Sequence, residues 1–111
     1  MDPERTIATS TEFRRLYAEG IRASSDGVTV FVAPRPHPAA PTRLGLAVPS
    51  STGGAVVRNR IKRRLREAFR AGGPRHGMDV AIRAHATLAR LSFQELEEHL
   101  GRALRRAGVA S

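Results

Sequence analysis

The sequence predicts an α/β fold of the α+β kind. It is a two-layer sandwich in which helices pack on one small sheet, in the order α-β-β-α-β-α. Two observations carry that expectation. Three short segments read as strands, two of them alternating with the period of a half-buried strand. Three longer segments repeat apolar residues at helical spacing beside capping or stop signals. The chain of 111 residues, 41% hydrophobic and 26% charged, fits one globular domain spanning residues 1–111.

The first helix follows Thr9, which with Glu12 forms a capping box. Phe13, Leu16 and Tyr17 give it an apolar face, and Gly20 closes it. Residues 1–8, which lack such a pattern, are expected to be flexible. Val28-Thr-Val-Phe-Val-Ala33 is β-branched and alternating, so it reads as a strand. Its valines face one way; Thr29 and Phe31 face the other, which places Phe31 on an open surface. Residues 34–42 hold four prolines and form a loop. Arg43 to Val48 is the second strand, with Leu44, Leu46 and Val48 on one face and Pro49 at its end.

Ser50-Ser-Thr-Gly-Gly54 leads into a second helix. Val57, Ile61, Leu65, Ala68 and Phe69 form an apolar stripe about 120° wide along it. Gly72-Gly73-Pro74 stops it. Asp79-Val-Ala-Ile-Arg-Ala84 is the third strand. Ser92 opens the last helix as N-cap of a second capping box with Glu95, and Leu91 and Leu96 form a hydrophobic staple.

Charge narrows the function. The chain carries 19 Lys plus Arg against 10 Asp plus Glu, a formal net charge of +9, which points to a polyanionic partner. Arg58 to Arg70 holds seven bases and one acid, Glu67, so +6 of the +9 lies in one helix. That helix has an apolar underside and a basic roof. Such uncompensated charge repels itself unless a polyanion neutralises it. A solvated face would mix signs, and a membrane-surface helix would favour Trp, which the chain lacks.

Other chemistry is absent. With no cysteine there is no disulfide, thiol nucleophile or Cys-ligated zinc, which fits a cytoplasmic location. No apolar run reaches the ~20 residues of a membrane span. His37, His76, His85 and His99 lack metal-ligand spacing, so no metal site in the protein is expected. Residues 50–54 lack the phosphate-loop pattern, and no catalytic constellation stands out. The residues alone thus describe a small RNA- or DNA-binding domain without catalytic residues of its own.

Gly53-Gly-Ala-Val-Val-Arg58-Asn59-Arg60-Ile-Lys-Arg-Arg-Leu-Arg-Glu-Ala-Phe69 closely resembles the signature of the bacterial ribonuclease P protein component, whose hallmark is the Arg-Asn-Arg triplet. Glu12 to Gly20, Arg43 to Val48 and the start of the last helix extend the resemblance to about residues 12–106. The resemblance implies a left-handed β-α-β crossover, against the usual right-handed rule. It implies a protein that binds a catalytic RNA and the 5′ leader of precursor tRNA and promotes removal of the leader. The RNA would perform hydrolysis with its own bound Mg²⁺, with no cofactor in the protein and no protein partner required. Catalytic-RNA binding carries onto Arg58, Asn59, Arg60, Lys62, Arg63, Arg64 and Arg66. Leader binding carries onto Phe13, Tyr17 and Phe31, whose rings can stack on bases without demanding a sequence.

The chain departs from that pattern beside the leader site. Pro49-Ser50-Ser51 stands where the family has Ser-Lys-Lys, and Gly54 where it has Asn. Ser50 and Ser51 therefore lack two positive charges at the leader site, which predicts weaker leader affinity with the RNA-binding helix intact. A ribosomal RNA-binding structural protein and a non-specific DNA binder suit the charge as well, but neither accounts for the signature.

Overall fold

The computed structural model describes residues 5–7, 10–72 and 76–109. Its elements are β1 (Arg5–Thr6), α1 (Ser10–Glu19), β2 (Ile21–Ser25), β3 (Val28–Pro34), β4 (Arg43–Ala47), α2 (Ala55–Ala71), β5 (Met78–Ala84) and α3 (Phe93–Arg106). Single 3-10 turns, Ser50–Thr52 and Ala86–Arg90, precede α2 and α3.

The strands form one sheet in the order β1-β4-β5-β3-β2. β4 runs parallel to β5, with α2 as the crossover between them; β3 is antiparallel to β5 and to β2. Strand alternation assigns the two faces. Val28, Val30, Val32, Leu44, Val80 and Ile82 form the main core with Ile61, Leu65 and Phe69 of α2 and Leu96, Leu100 and Leu104 of α3. Leu65, Val80, Ile82, Leu96 and Leu100 are 1% exposed or less, and each such side chain stabilises the fold by roughly 1.5–3 kcal/mol.

The opposite face carries a smaller cluster. Leu16 of α1, Ile7, Phe31 and Ala81 are buried together, with Phe13 and Ala33 packed beside them. α1 therefore lies across the sheet from α2 and α3, a third element outside the main two-layer sandwich. Gly45 permits this approach: a Cβ there would sit 2.6 Å from the Phe13 ring. At Gly20 a Cβ would lie 2.6 Å from the Leu16 carbonyl oxygen, so the chain turns sharply from α1 into β2.

Two strands exceed the expected order. β2 has only one β-branched residue, Ile21, and is largely exposed, so composition hides it. It is held by antiparallel pairing to β3 through an Asp26-Gly27 hairpin turn, with Gly27 at φ 83°. Asp-Gly is a hairpin signal readable in the sequence. β1 pairs with β4 over two residues, and Ile7 donates a hydrogen bond to Leu44 and is 3% exposed. The segment 1–8 is thus anchored at residues 5–7; its other residues, and the Thr9 capping box, lie outside the described residues. So do Gly73 and Pro74 of the expected stop, whereas Gly72 caps α2 as read. The capping box at the start of α3 is present: Glu95 N–H donates to Ser92 Oγ, and Ser92 N–H donates to the Glu95 carboxylate. Leu91 packs against the core that contains Leu96.

Candidate RNA-binding interface

α2 begins without a side-chain cap. Gly54 is its N-cap in extended conformation, and a Cβ there would meet nothing within 4 Å, so an Asn has room at this position. Gly53 just before it has φ 153°, and a Cβ would press on Val57 at 3.0 Å. That geometry favours glycine at position 53.

Ile61, Leu65, Ala68 and Phe69 are buried against the sheet, so the rest of the helix faces outward. Asn59, Arg60 and Arg63 are exposed; Arg58, Lys62, Arg64 and Arg66 are half-buried. All seven residues expected to bind catalytic RNA are therefore brought onto one element. None of their cations lies within ion-pair distance of a carboxylate among the described residues. Arginine stems can cover apolar surface while the guanidinium reaches phosphate; Arg58 Nε is buried without a hydrogen-bond partner.

The three aromatic residues also converge. Tyr17 lies over Phe31 with ring centroids 4.6 Å apart, and Phe13 is 6.0 Å from Tyr17. Their exposure differs from the sequence expectation. Phe31 is only 6% exposed, because α1 crosses the sheet directly above it. Alternation correctly gave its face but could not reveal the helix covering that face. Tyr17, 37% exposed, is the ring available to a base. Burial raises the Tyr17 pKa above its ordinary 10.0, while the nearby Arg83 charge opposes the rise.

Sequence reasoning missed the cations around these rings. The Arg22 guanidinium stands 5.9 Å from the Phe31 ring centroid, a cation–π distance. Arg83 pairs in register with Thr29 and is exposed. Thr29 Oγ1 is hydrogen-bonded to His85 Nε2 at 2.8 Å and to Ser24 Oγ at 3.1 Å, so this part of the face is polar. Alternation along β3 and β5 could have placed Arg83 beside Thr29. Arg22 needed the hidden strand β2. Ser50 and Ser51 are exposed on the 3-10 turn at the foot of α2, next to the turn that follows β5.

The other flank of α1 is electrostatically different. A groove there is lined by Glu12, Arg15, Glu19, Arg43 and Asp79. Asp79 is engaged by Arg43 and approached to 3.7 Å by Arg35, and Glu12 pairs with Arg43. α1 thus divides a basic aromatic cleft from a groove whose charges are already matched. No group of three or more His, Asp or Glu that could hold a metal occurs among the described residues, and no described helix is long and apolar enough to cross a membrane.

Known proteins are similar to this chain in sequence and fold. Residues 1–108 match the family described as Ribonuclease P. The ribonuclease P protein component of Symbiobacterium thermophilum is 36% identical over 99 residues, covering 87% of this chain and 85% of the relative. That of Pseudarthrobacter chlorophenolicus is 38% identical over 100 residues, covering 88% and 73%. The Staphylococcus aureus RNase P protein structure superposes with a TM-score of 0.86 at 25% identity, covering 96% of this chain and 97% of that one. The RNase P protein from Thermotoga maritima gives a TM-score of 0.79 at 27% identity, covering 93% and 96%.

Proposed function

The chain belongs to the ribonuclease P protein family, a tRNA-processing subunit of a ribonuclease with an RNA partner, and we propose that it binds the catalytic RNA through α2 and the 5′ leader of precursor tRNA through the α1 cleft. Hydrolysis belongs to the RNA. The Mg²⁺ that the reaction uses is read as bound mainly by the RNA; Glu12 and Asp79 of the protein pair with Arg43. The protein works in the cytoplasm, where precursor tRNA is made.

The observation that supports this best is the separation of two surfaces. The cations from Arg58 to Arg66 on α2 stand on the side of the sheet that carries the main core, and the tilted Tyr17–Phe31 pair stands on the other. One nucleic acid can therefore be held on each side at once. On α2, guanidinium groups neutralise phosphates of a folded RNA. In the cleft, Tyr17 stacks on an unpaired base, which any sequence permits. At the foot of α2, Ser50 and Ser51 supply no charge, so lysines introduced there strengthen leader binding.

The test is reconstitution. The chain is mixed with a bacterial catalytic RNA and precursor tRNA at low Mg²⁺, and rescued 5′ cleavage is expected. Failure with several bacterial catalytic RNAs overturns the reading. Arg58→Ala with Arg60→Ala should weaken RNA assembly far more than Arg102→Ala with Arg105→Ala. The salt dependence should be steep, with a log–log slope of roughly −0.7 to −0.9 per phosphate neutralised.

A further inference from the structure

The sheet register lays two transverse rows on the α1 side. Gly45, Ala81, Phe31 and Arg22 are successive partners across β4, β5, β3 and β2; Ala47, Arg83, Thr29 and Ser24 form the next row. α1 covers the first row at Gly45, Ala81 and Phe31. Beyond it, Arg22, Ser24, Arg83 and His85 are exposed. Neither Arg22 nor Arg83 has an ion-pair partner among the described residues. That contrasts with Arg35 and Arg43 across α1, which face Asp79. A polyanion approaching α1 meets two free guanidiniums on one side and matched charges on the other.

We propose that Arg83 and Arg22 are the phosphate-holding residues of the leader cleft and meet the leader in order, Arg83 nearer the cleavage site and Arg22 upstream. The proposal rests on the leader-binding reading above. The order follows from the topology. β4 leads through the Ser50–Thr52 turn into α2, the helix assigned to the catalytic RNA, so the β4 and β5 end of the rows lies toward that RNA. β2 is the edge strand at the far side of the sheet. Arg83 on β5 and Arg22 on β2 are two strand spacings apart across the sheet and one row apart along it, roughly 12 Å between their backbones. A strand crossing between them passes Tyr17, whose ring is the exposed member of the tilted pair with Phe31, and the Ser24–Thr29–His85 hydrogen bonds. Arg22 also faces Phe31, so a base above it meets a planar cation as well as a phosphate contact.

The experiment measures KM for the assembled holoenzyme on precursor tRNAs whose leaders are shortened one nucleotide at a time from the 5′ end. Arg83→Ala should raise KM about 3- to 10-fold on long and intermediate leaders, the worth of one charge-assisted contact at a partly exposed site. Arg22→Ala should do so on long leaders only, its effect vanishing first as the leader shortens. Arg22→Lys and Arg83→Lys should recover most of the loss. Arg102→Ala on α3 should leave KM unchanged. Equal effects at every leader length, or no effect at any, overturn the assignment while leaving leader binding standing. If the unmodified holoenzyme is itself indifferent to leader length, the leader-binding reading falls, and this assignment with it.

Discussion

Arg43 holds Asp79 through two hydrogen bonds, Nε to Oδ1 at 2.8 Å and Nη2 to Oδ2 at 2.7 Å, while Nη1 donates to Glu12 on α1. The bidentate pair ties β4 to β5 at the registered position Arg43↔Asp79, and the third bond ties α1 to both. Hydrogen bonding to Asp79 is the largest cause of a raised Arg43 pKa, so the guanidinium stays charged at any working pH.

That geometry ranks two substitutions. Asp79→Ala leaves Arg43 and Arg35 partly buried without their shared carboxylate. It should destabilise the protein by about 2–3 kcal/mol, below the cost of breaking a fully buried pair. Glu12→Ala removes a single bond from a more exposed carboxylate and should cost under about 1 kcal/mol. Urea unfolding midpoints at unchanged m-value measure both. Equal losses would show that the strand pair is not the stronger half of the clamp.

A second prediction concerns how α1 reaches its place. Phe13 rests on Gly45, where a Cβ would fall 2.6 Å from ring atom Cζ and 3.0 Å from Ile7 Cβ. Gly45→Ala should displace the ring and α1 with it, at about 1–3 kcal/mol of overpacking. Leader-bearing precursor tRNA should bind less tightly, while affinity for the catalytic RNA holds, since α2 packs on the other side of the sheet. Phe13→Leu in the Gly45→Ala background should return part of the stability. A Gly45→Ala protein with full stability and full leader affinity would contradict the packing argument.

The RNA-binding helix was legible in the sequence because one helix carries both signals. Apolar residues from Ile61 to Phe69 mark its buried side, and seven bases mark the other. The capping box of Ser92 and Glu95 was legible because it is local. The aromatic cleft was legible only in part. Phe31 was correctly placed opposite the valines, but its burial depends on Leu16 and Tyr17 arriving from another element. Arg22 stayed hidden because β2 lacks intrinsic strand character and exists through its pairing with β3. Register, not composition, brings Arg22 to Phe31. The Arg43 clamp joins residues 31 and 36 positions apart, a separation that no local pattern encodes.

Tyr17 offers a direct readout of the cleft, since the chain has one tyrosine and no tryptophan. Burial raises its pKa above 10.0, and Arg83 pulls in the other direction. A raised pKa means that the folded protein favours the neutral phenol. The associated stability is present below the unfolded value near 10 and is lost as pH rises through the folded value. A spectroscopic titration of the phenolate band should therefore have its midpoint above 10 in the folded protein and return to about 10 in urea. Arg83→Ala removes the opposing charge, so the midpoint should move further up. A downward move, or none, would show that Arg83 does not face the ring. Adding a short single-stranded RNA at neutral pH should quench the Tyr17 fluorescence, as stacking on a base requires. The quenching should weaken in Arg83→Ala and at high salt, where the phosphate contact that holds the strand over the ring is lost or screened.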